Sequence, residues 1–180
     1  MADSGDYMKQ SGMYEYSLWL MPKGKSARCA SAAIRALAKE NGTLVFKPHI
    51  TLLGWICGDK RVITEKARNL ASGLGGIPIS FDGISHSKTY TKTLFVKVKA
   101  NRAISRAHRL AEKTFGHKKS KFIPHLSLMY ANLSKAARLR LINDINKADF
   151  AQGFTADTLS LYARRWEGKE WRKVDSFKIR

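Results

Sequence analysis

The chain has 180 residues, 44% of them hydrophobic, which suits one domain or two small lobes sharing a core. Its 33 Lys and Arg against 14 Asp and Glu give a formal net charge of +19, a balance that favours polyanionic partners or a generally basic surface. No apolar run reaches the length of a membrane span, the polar start Met1–Asp6 has neither a secretory nor a transit layout, and Cys29 and Cys57 match no metal, redox or disulfide spacing, so the expected setting is reducing, cytoplasmic or nuclear, and away from membranes.

Residues 1–13 read as a disordered tail and 14–180 as a single domain. Positions 14–21 alternate as a strand, which Pro22 and Gly24 stop. Ala27, Ala30, Ile34, Leu37 and Ala38 fall at helical spacing over 25–40, and Asn41-Gly42 closes that helix. A strand over 44–54 and a helix over 60–73 follow, then strands over 77–86 and 92–99 and a helix over 102–115 that ends at Gly116. A strand over 122–130 precedes a helix capped by Ser134 and running to about 147. Two strands, 155–163 and 171–179, close the chain around a Glu167-Gly168-Lys169 turn. The pattern is that of an α+β chain made of two similar halves.

One octet occurs twice: Phe46-Lys47-Pro48-His49-Ile50-Thr51-Leu52-Leu53 and Phe122-Ile123-Pro124-His125-Leu126-Ser127-Leu128-Met129. In a strand, residues i and i+2 share a face, so His49 and Thr51 point one way together, as do His125 and Ser127. Two imidazoles can run a hydrolysis without metal or cofactor, one taking a proton from water and the other giving one to a leaving oxygen. Two hydroxyls beside them can hold the oxygens of a phosphate. A single His-x-Ser/Thr is as well explained by a hydrogen-bonded core histidine; the repetition in register is what points to chemistry. The remaining histidines, His86, His108 and His117, lie in a polar turn, a basic helix and a Lys-rich loop, and read as solvated.

The paired Pro-His-x-Thr/Ser motifs resemble those of the two-histidine phosphoesterase superfamily, and within it the plant and fungal cyclic phosphodiesterases. Tyr16-Ser17-Leu18-Trp19-Leu20-Met21-Pro22 is similar to that family's first strand, Pro124–Ser134 to its second motif and following helix, and Leu159–Tyr162 through Trp171 to its closing hairpin. The resemblance implies a bilobal fold with antiparallel sheets forming a central cleft and helices outside. It implies hydrolysis of nucleoside 2′,3′-cyclic phosphates or ADP-ribose 1″,2″-cyclic phosphate, with no metal and no cofactor. His49 and His125 become the catalytic pair, with His125 leaning to base and His49 to acid, an order that the near-symmetric repeat leaves open. Thr51 and Ser127 become the phosphate-binding hydroxyls, and Trp19 and Tyr130 the residues that contact base or ribose, although an aromatic in a strand is as often core.

The strong positive charge and the run His117-Lys118-Lys119-Ser120-Lys121 depart from that pattern. They favour an alternative in which the substrate is an RNA end or a 2′–5′ linkage, reached through the basic surface; Lys119 and Lys121 can attract the phosphate, although solvated loop lysines are the simpler reading of both. A non-catalytic nucleotide- or RNA-binding module is the other alternative, opposed by the intact His and hydroxyl in both motifs. The chain is expected to act as a monomer.

Overall fold

The computed structural model of the protein describes residues 14–145, 150, 152–166, 168 and 170–180. The expected tail at 1–13 lies outside the described residues, as do positions 146–147 of the last helix and Glu167 and Lys169 of the expected turn. The elements in chain order are β1 (Tyr14–Leu20), α1 (Gly24–Asn41), β2 (Ile50–Cys57), α2 (Lys60–Ser72), β3 (Ile77–Ile79), β4 (Phe81–His86), a 3₁₀ turn (Tyr90–Lys92), β5 (Leu94–Val98), α3 (Arg102–Phe115), β6 (His125–Met129), α4 (Lys135–Asp144), β7 (Phe154–Ala156), β8 (Thr158–Arg165) and β9 (Arg172–Lys178).

Short polar side chains start three helices. Asp59 accepts from the Val62 amide, Asn101 from Ile104 and Ser134 from Ala137, each satisfying a donor the helix leaves free. Helices α1 and α3 end on Gly42 and Gly116, whose φ values of 63° and 71° are those of the left-handed cap glycine favours.

The α+β expectation holds. Seven antiparallel strands lie in the order β4-β5-β6-β2-β1-β8-β9, and β3 pairs with β7 in a separate two-stranded ribbon. The large sheet divides into two lobes because β2 and β6 are joined through one residue pair, Ile50 and Leu126. Strands β4, β5 and β6 make one lobe, and β2, β1, β8 and β9 the other. The lobes do not coincide with the halves of the sequence. The chain returns at its end to set β8 beside β1; α1 packs on β6 and α4 on β4, while α2 packs on β8 and β9 and α3 on β2. Each lobe nonetheless carries one motif strand.

Leu18, Leu20, Ile50, Leu94, Leu126 and Leu159 are fully buried beneath the helices, and this alternation turns Trp19, Thr51, Phe95 and Ser127 to the opposite face. Both motif strands start later than expected, at Ile50 rather than 44 and at His125 rather than 122. Pro48 and Pro124 have no N–H to offer a ladder, so the residues before them stand outside the sheet. The expected strand over 77–86 breaks at Ser80 into β3 and β4, and β7 precedes β8 where one strand was expected. At Gly153 a Cβ would lie 1.7 Å from the Ile79 carbonyl oxygen, so glycine alone permits the close approach there.

Candidate active site: two histidines across the seam

The single pair Ile50–Leu126 fixes the geometry of the site. One residue to either side along the antiparallel register, His49 comes opposite Ser127 and Thr51 opposite His125. Ile50 and Leu126 point into the core, so these four side chains share the other face. The histidines are then diagonal neighbours, a separation of about 7–8 Å between strands.

Each ring is anchored in the same way. His49 Nδ1 lies 2.7 Å from the Lys47 carbonyl oxygen, and His125 Nδ1 lies 2.8 Å from that of Ile123. A carbonyl only accepts, so Nδ1 carries the hydrogen and donates it in both cases. The neutral rings therefore present Nε2 as the free lone pair, and the Pro that follows each anchoring residue holds that carbonyl in place.

The two environments differ. His49 stacks on Trp19 at 3.7 Å between ring centroids and 11° between planes, with Phe46 edge-on at 6.4 Å. Burial lowers its pKa to about 4; the Lys47 carbonyl opposes this, and the nearby His125 adds to it. His125 meets Phe95 edge-on at 5.4 Å. Its pKa is also lowered, by burial and by the Lys92 ammonium, with the Ile123 carbonyl opposing. Lys92 Nζ lies 5.5 Å from the centre of the Phe95 ring.

The hydroxyls also differ. Thr51 sits beside Trp19 on the neighbouring strand and is partly exposed. Ser127 is buried, and its Oγ donates to the Thr91 carbonyl at 2.8 Å. To donate to a phosphate, Ser127 must rotate away from Thr91.

Trp19 does not offer a free face. Its indole is 4% exposed and is sandwiched between His49 and Tyr162, the latter at 3.9 Å and 20°. Its Nε1 donates to Ser17 Oγ at 2.7 Å. The expected contact with a base is corrected accordingly: Trp19 is the wall against which His49 is held. Tyr130 has one face on Phe46 at 3.9 Å and 5°. Burial pushes its pKa up to about 12, with the Ser127 hydroxyl offsetting part of the rise.

Two further histidines are not the solvated residues expected. His86 accepts at Nδ1 from Arg138 Nε at 3.2 Å. His108 is buried, donates from Nδ1 to the Leu52 carbonyl at 2.8 Å, and stacks on Phe122 at 4.0 Å and 7°. Lys119 and Lys121 are exposed on their loop. Lys92 and Lys47 are the cations the reading by sequence passed over. Lys47, over the Tyr162 ring at 5.9 Å, is inside the first octet and could have been found there; Lys92 is carried to His125 by a 3₁₀ turn that no periodicity announces. Trp171 stands 5.4 Å from Trp19 under the Arg164 guanidinium, which lies 5.0 Å from its ring.

Among the described residues no group of three or more His, Cys, Asp or Glu could hold a metal, and no helix is long and apolar enough to cross a membrane. The arrangement sets two imidazoles on one face across the seam, with aromatic walls and the Lys92 ammonium near His125.

A family model described as the 2′-5′ RNA ligase superfamily matches residues 24–167. Among solved structures, the fold is similar to that of E. coli LigT complexed with 3′-AMP, with 14% identity, a TM-score of 0.64, and coverage of 94% of this chain and 99% of LigT. It is similar to a Thermus thermophilus protein, with 14% identity, a TM-score of 0.63, and coverage of 92% and 98%. A structure described as a phosphoesterase matches with 9% identity, a TM-score of 0.56, and coverage of 93% and 98%. No curated protein matches in sequence.

Proposed function

The chain belongs to the 2′-5′ RNA ligase superfamily, and within that class of enzymes acting on phosphodiesters we propose that it hydrolyses 2′,3′-cyclic phosphates, or ADP-ribose 1″,2″-cyclic phosphate, to the monoester. The observation that carries this is the diagonal pair His49 and His125, each with its Nδ1 anchored to a backbone carbonyl and its Nε2 free. LigT, of similar fold, is described in complex with 3′-AMP, a product that such a ring opening would yield.

Opening the ring requires a water to attack phosphorus in line while the opposite phosphorus–oxygen bond breaks. One histidine accepts the water proton at Nε2. The other donates from Nε2 to the departing ribose oxygen, so the net change is the addition of one water. General acid and general base each contribute typically about 10²–10⁴-fold. The base must begin neutral and the acid protonated. Burial depresses His49 the more, to about 4, so His125 keeps a proton more readily. This favours His49 as base and His125 as acid, the reverse of the order leaned to from the sequence. An anionic phosphate between the rings raises both pKa values and supplies the protonated acid its stability.

In this reading the Thr51 hydroxyl and the Lys92 ammonium stabilise the equatorial oxygens, with Ser127 joining after rotation. Incubation with 2′,3′-cyclic AMP in EDTA, with the product isomer identified, tests the reading; no conversion to a monoester sinks it. A second reading, cleavage of an RNA end or a 2′–5′ linkage, is supported by the +19 charge and by the superfamily's description. Relative turnover of a mononucleotide and an oligonucleotide cyclic end separates the two.

A further inference from the structure

At the end of β2 away from His49, the backbone does something costly. Trp55 has a φ of 57°, the only positive value at a non-glycine position among the described residues. A bulky residue there is strained by about 1–3 kcal/mol. The strain is not repaid by burial, since the indole is 59% exposed. It instead brings Trp55 to Trp166, just past the end of β8, with ring centroids 6.3 Å apart and planes at 59°. Trp166 is itself 38% exposed. Two indoles held together in water, one of them on strained backbone, constitute a surface made for contact.

The column of β8 leads from the histidines to this pair. Tyr162 stacks on Trp19 beneath His49, Arg164 is two residues further along the same face, and Trp166 two beyond that. Arg164 is anchored by Glu15, with Nε and Nη2 at 2.9 and 2.7 Å from Oε2. Aromatic rings on either side of the Arg164 guanidinium, on a chain of net charge +19, fit a single-stranded polyanion with flat bases. Trp55 is six residues from His49, roughly 20 Å at ~3.3 Å per residue. That spans up to about six nucleotides stacked at ~3.4 Å each, and fewer if the strand is extended.

We propose that Trp55 and Trp166 form a stacking site for the upstream bases of a single-stranded RNA whose reacting end lies between His49 and His125. The orientation of that RNA rests on the phosphodiesterase reading of the cleft; the binding site itself does not. The site would distinguish oligonucleotides from mononucleotides without touching the reacting atoms.

The test uses fluorescein-labelled RNAs of two and eight nucleotides ending in a 3′-phosphate, which the enzyme cannot open, with anisotropy as readout. The variants are Trp55→Gly, which takes the positive φ without strain, Trp55→Phe and Trp166→Ala. We expect Trp55→Gly and Trp166→Ala each to weaken binding of the octamer about 5–150-fold, the worth of one base stacked on an aromatic ring. Trp55→Phe should retain most of the affinity. Binding of the dinucleotide and turnover of 2′,3′-cyclic AMP should stay within about twofold in all three. If the octamer binds through the tryptophans while the wild-type protein fails to open 2′,3′-cyclic AMP, the stacking site stands and the proposed function falls. The site is overturned if the octamer binds no tighter than the dinucleotide, or if the variants bind it like wild type. A change in sedimenting mass in the variants, marking the pair as a protein contact, would overturn it too.

Discussion

Replacing Glu112 by alanine should loosen the segment that delivers His125. Glu112, on α3, is 4% exposed. Its Oε1 accepts from both the amide and the hydroxyl of Ser120, each at 2.8 Å, and lies 3.1 Å from His108 Nε2. Burial pushes its carboxyl up, but the two Ser120 donors and His108 outweigh that and hold it below its ordinary value. His108 reaches in turn to the Leu52 carbonyl on β2 and to the Phe122 ring at the start of the second octet. The pair thus ties both motif strands to α3. Alanine leaves the two Ser120 donors without their acceptor. Hydrogen bonds to a charged group are worth about 1.5–3 kcal/mol each, and two are lost at an exposed Ser120 where water replaces part of them, so the loss of stability should be about 3–5 kcal/mol. Glutamine keeps an acceptor and should cost about 1–2 kcal/mol. Urea unfolding measures this, and at ~1–3 kcal/mol/M the alanine midpoint falls by roughly 1–5 M. Below that transition, turnover of 2′,3′-cyclic AMP should show kcat reduced up to about 10²-fold by misplacement of His125, with KM little changed. A Glu112→Ala protein that loses less than 1 kcal/mol and keeps wild-type kcat would refute the reasoning.

Titration of stability should show His49. Its folded pKa of about 4 lies below the unfolded reference of ~6.5, so the folded state binds fewer protons between them. Stability is therefore full above pH 6.5 and declines as pH falls toward 4, by at most about 3 kcal/mol because the ring keeps some water contact. His49→Ala should flatten that decline in a series of urea titrations, and an unchanged slope would contradict it. Acid and base can be told apart with bis(p-nitrophenyl) phosphate, whose leaving group needs no proton: His125→Ala should lose less activity on it than His49→Ala, and the opposite ranking restores the other order. Gly153→Ala should destabilise by more than about 1–3 kcal/mol, since its Cβ would lie 1.7 Å from the Ile79 carbonyl, and a neutral effect in thermal unfolding would show that the segment can move.

The octets were legible because their signal is local: His-x-Thr/Ser in a strand fixes a common face whatever the topology. Residue patterns could not give the seam, because the pairing of Ile50 with Leu126 joins strands far apart in sequence and brings Lys92 to His125 by a turn. The two prolines that make the octets recognisable also shorten both strands, which alternation alone overran. His108 was misread for a different reason. Ile104, Ala107, His108, Ala111 and Glu112 form one helical stripe, all buried, but the flanking Arg106 and Arg109 made the helix look polar throughout. Trp19 is highly buried, as aromatic strand residues commonly are, and its value to the site is as a wall.

The central claim is that His49 and His125 together open a phosphodiester without a metal. The most direct measurement is the rate of 2′,3′-cyclic AMP hydrolysis in EDTA by the wild-type protein, His49→Ala and His125→Ala, each checked for native circular dichroism. The account predicts EDTA-resistant turnover to a monoester in the wild type and a fall of about 10²–10⁴-fold in each variant. Near-wild-type turnover in either folded variant, or activity that vanishes in EDTA and returns with a divalent cation, would contradict it.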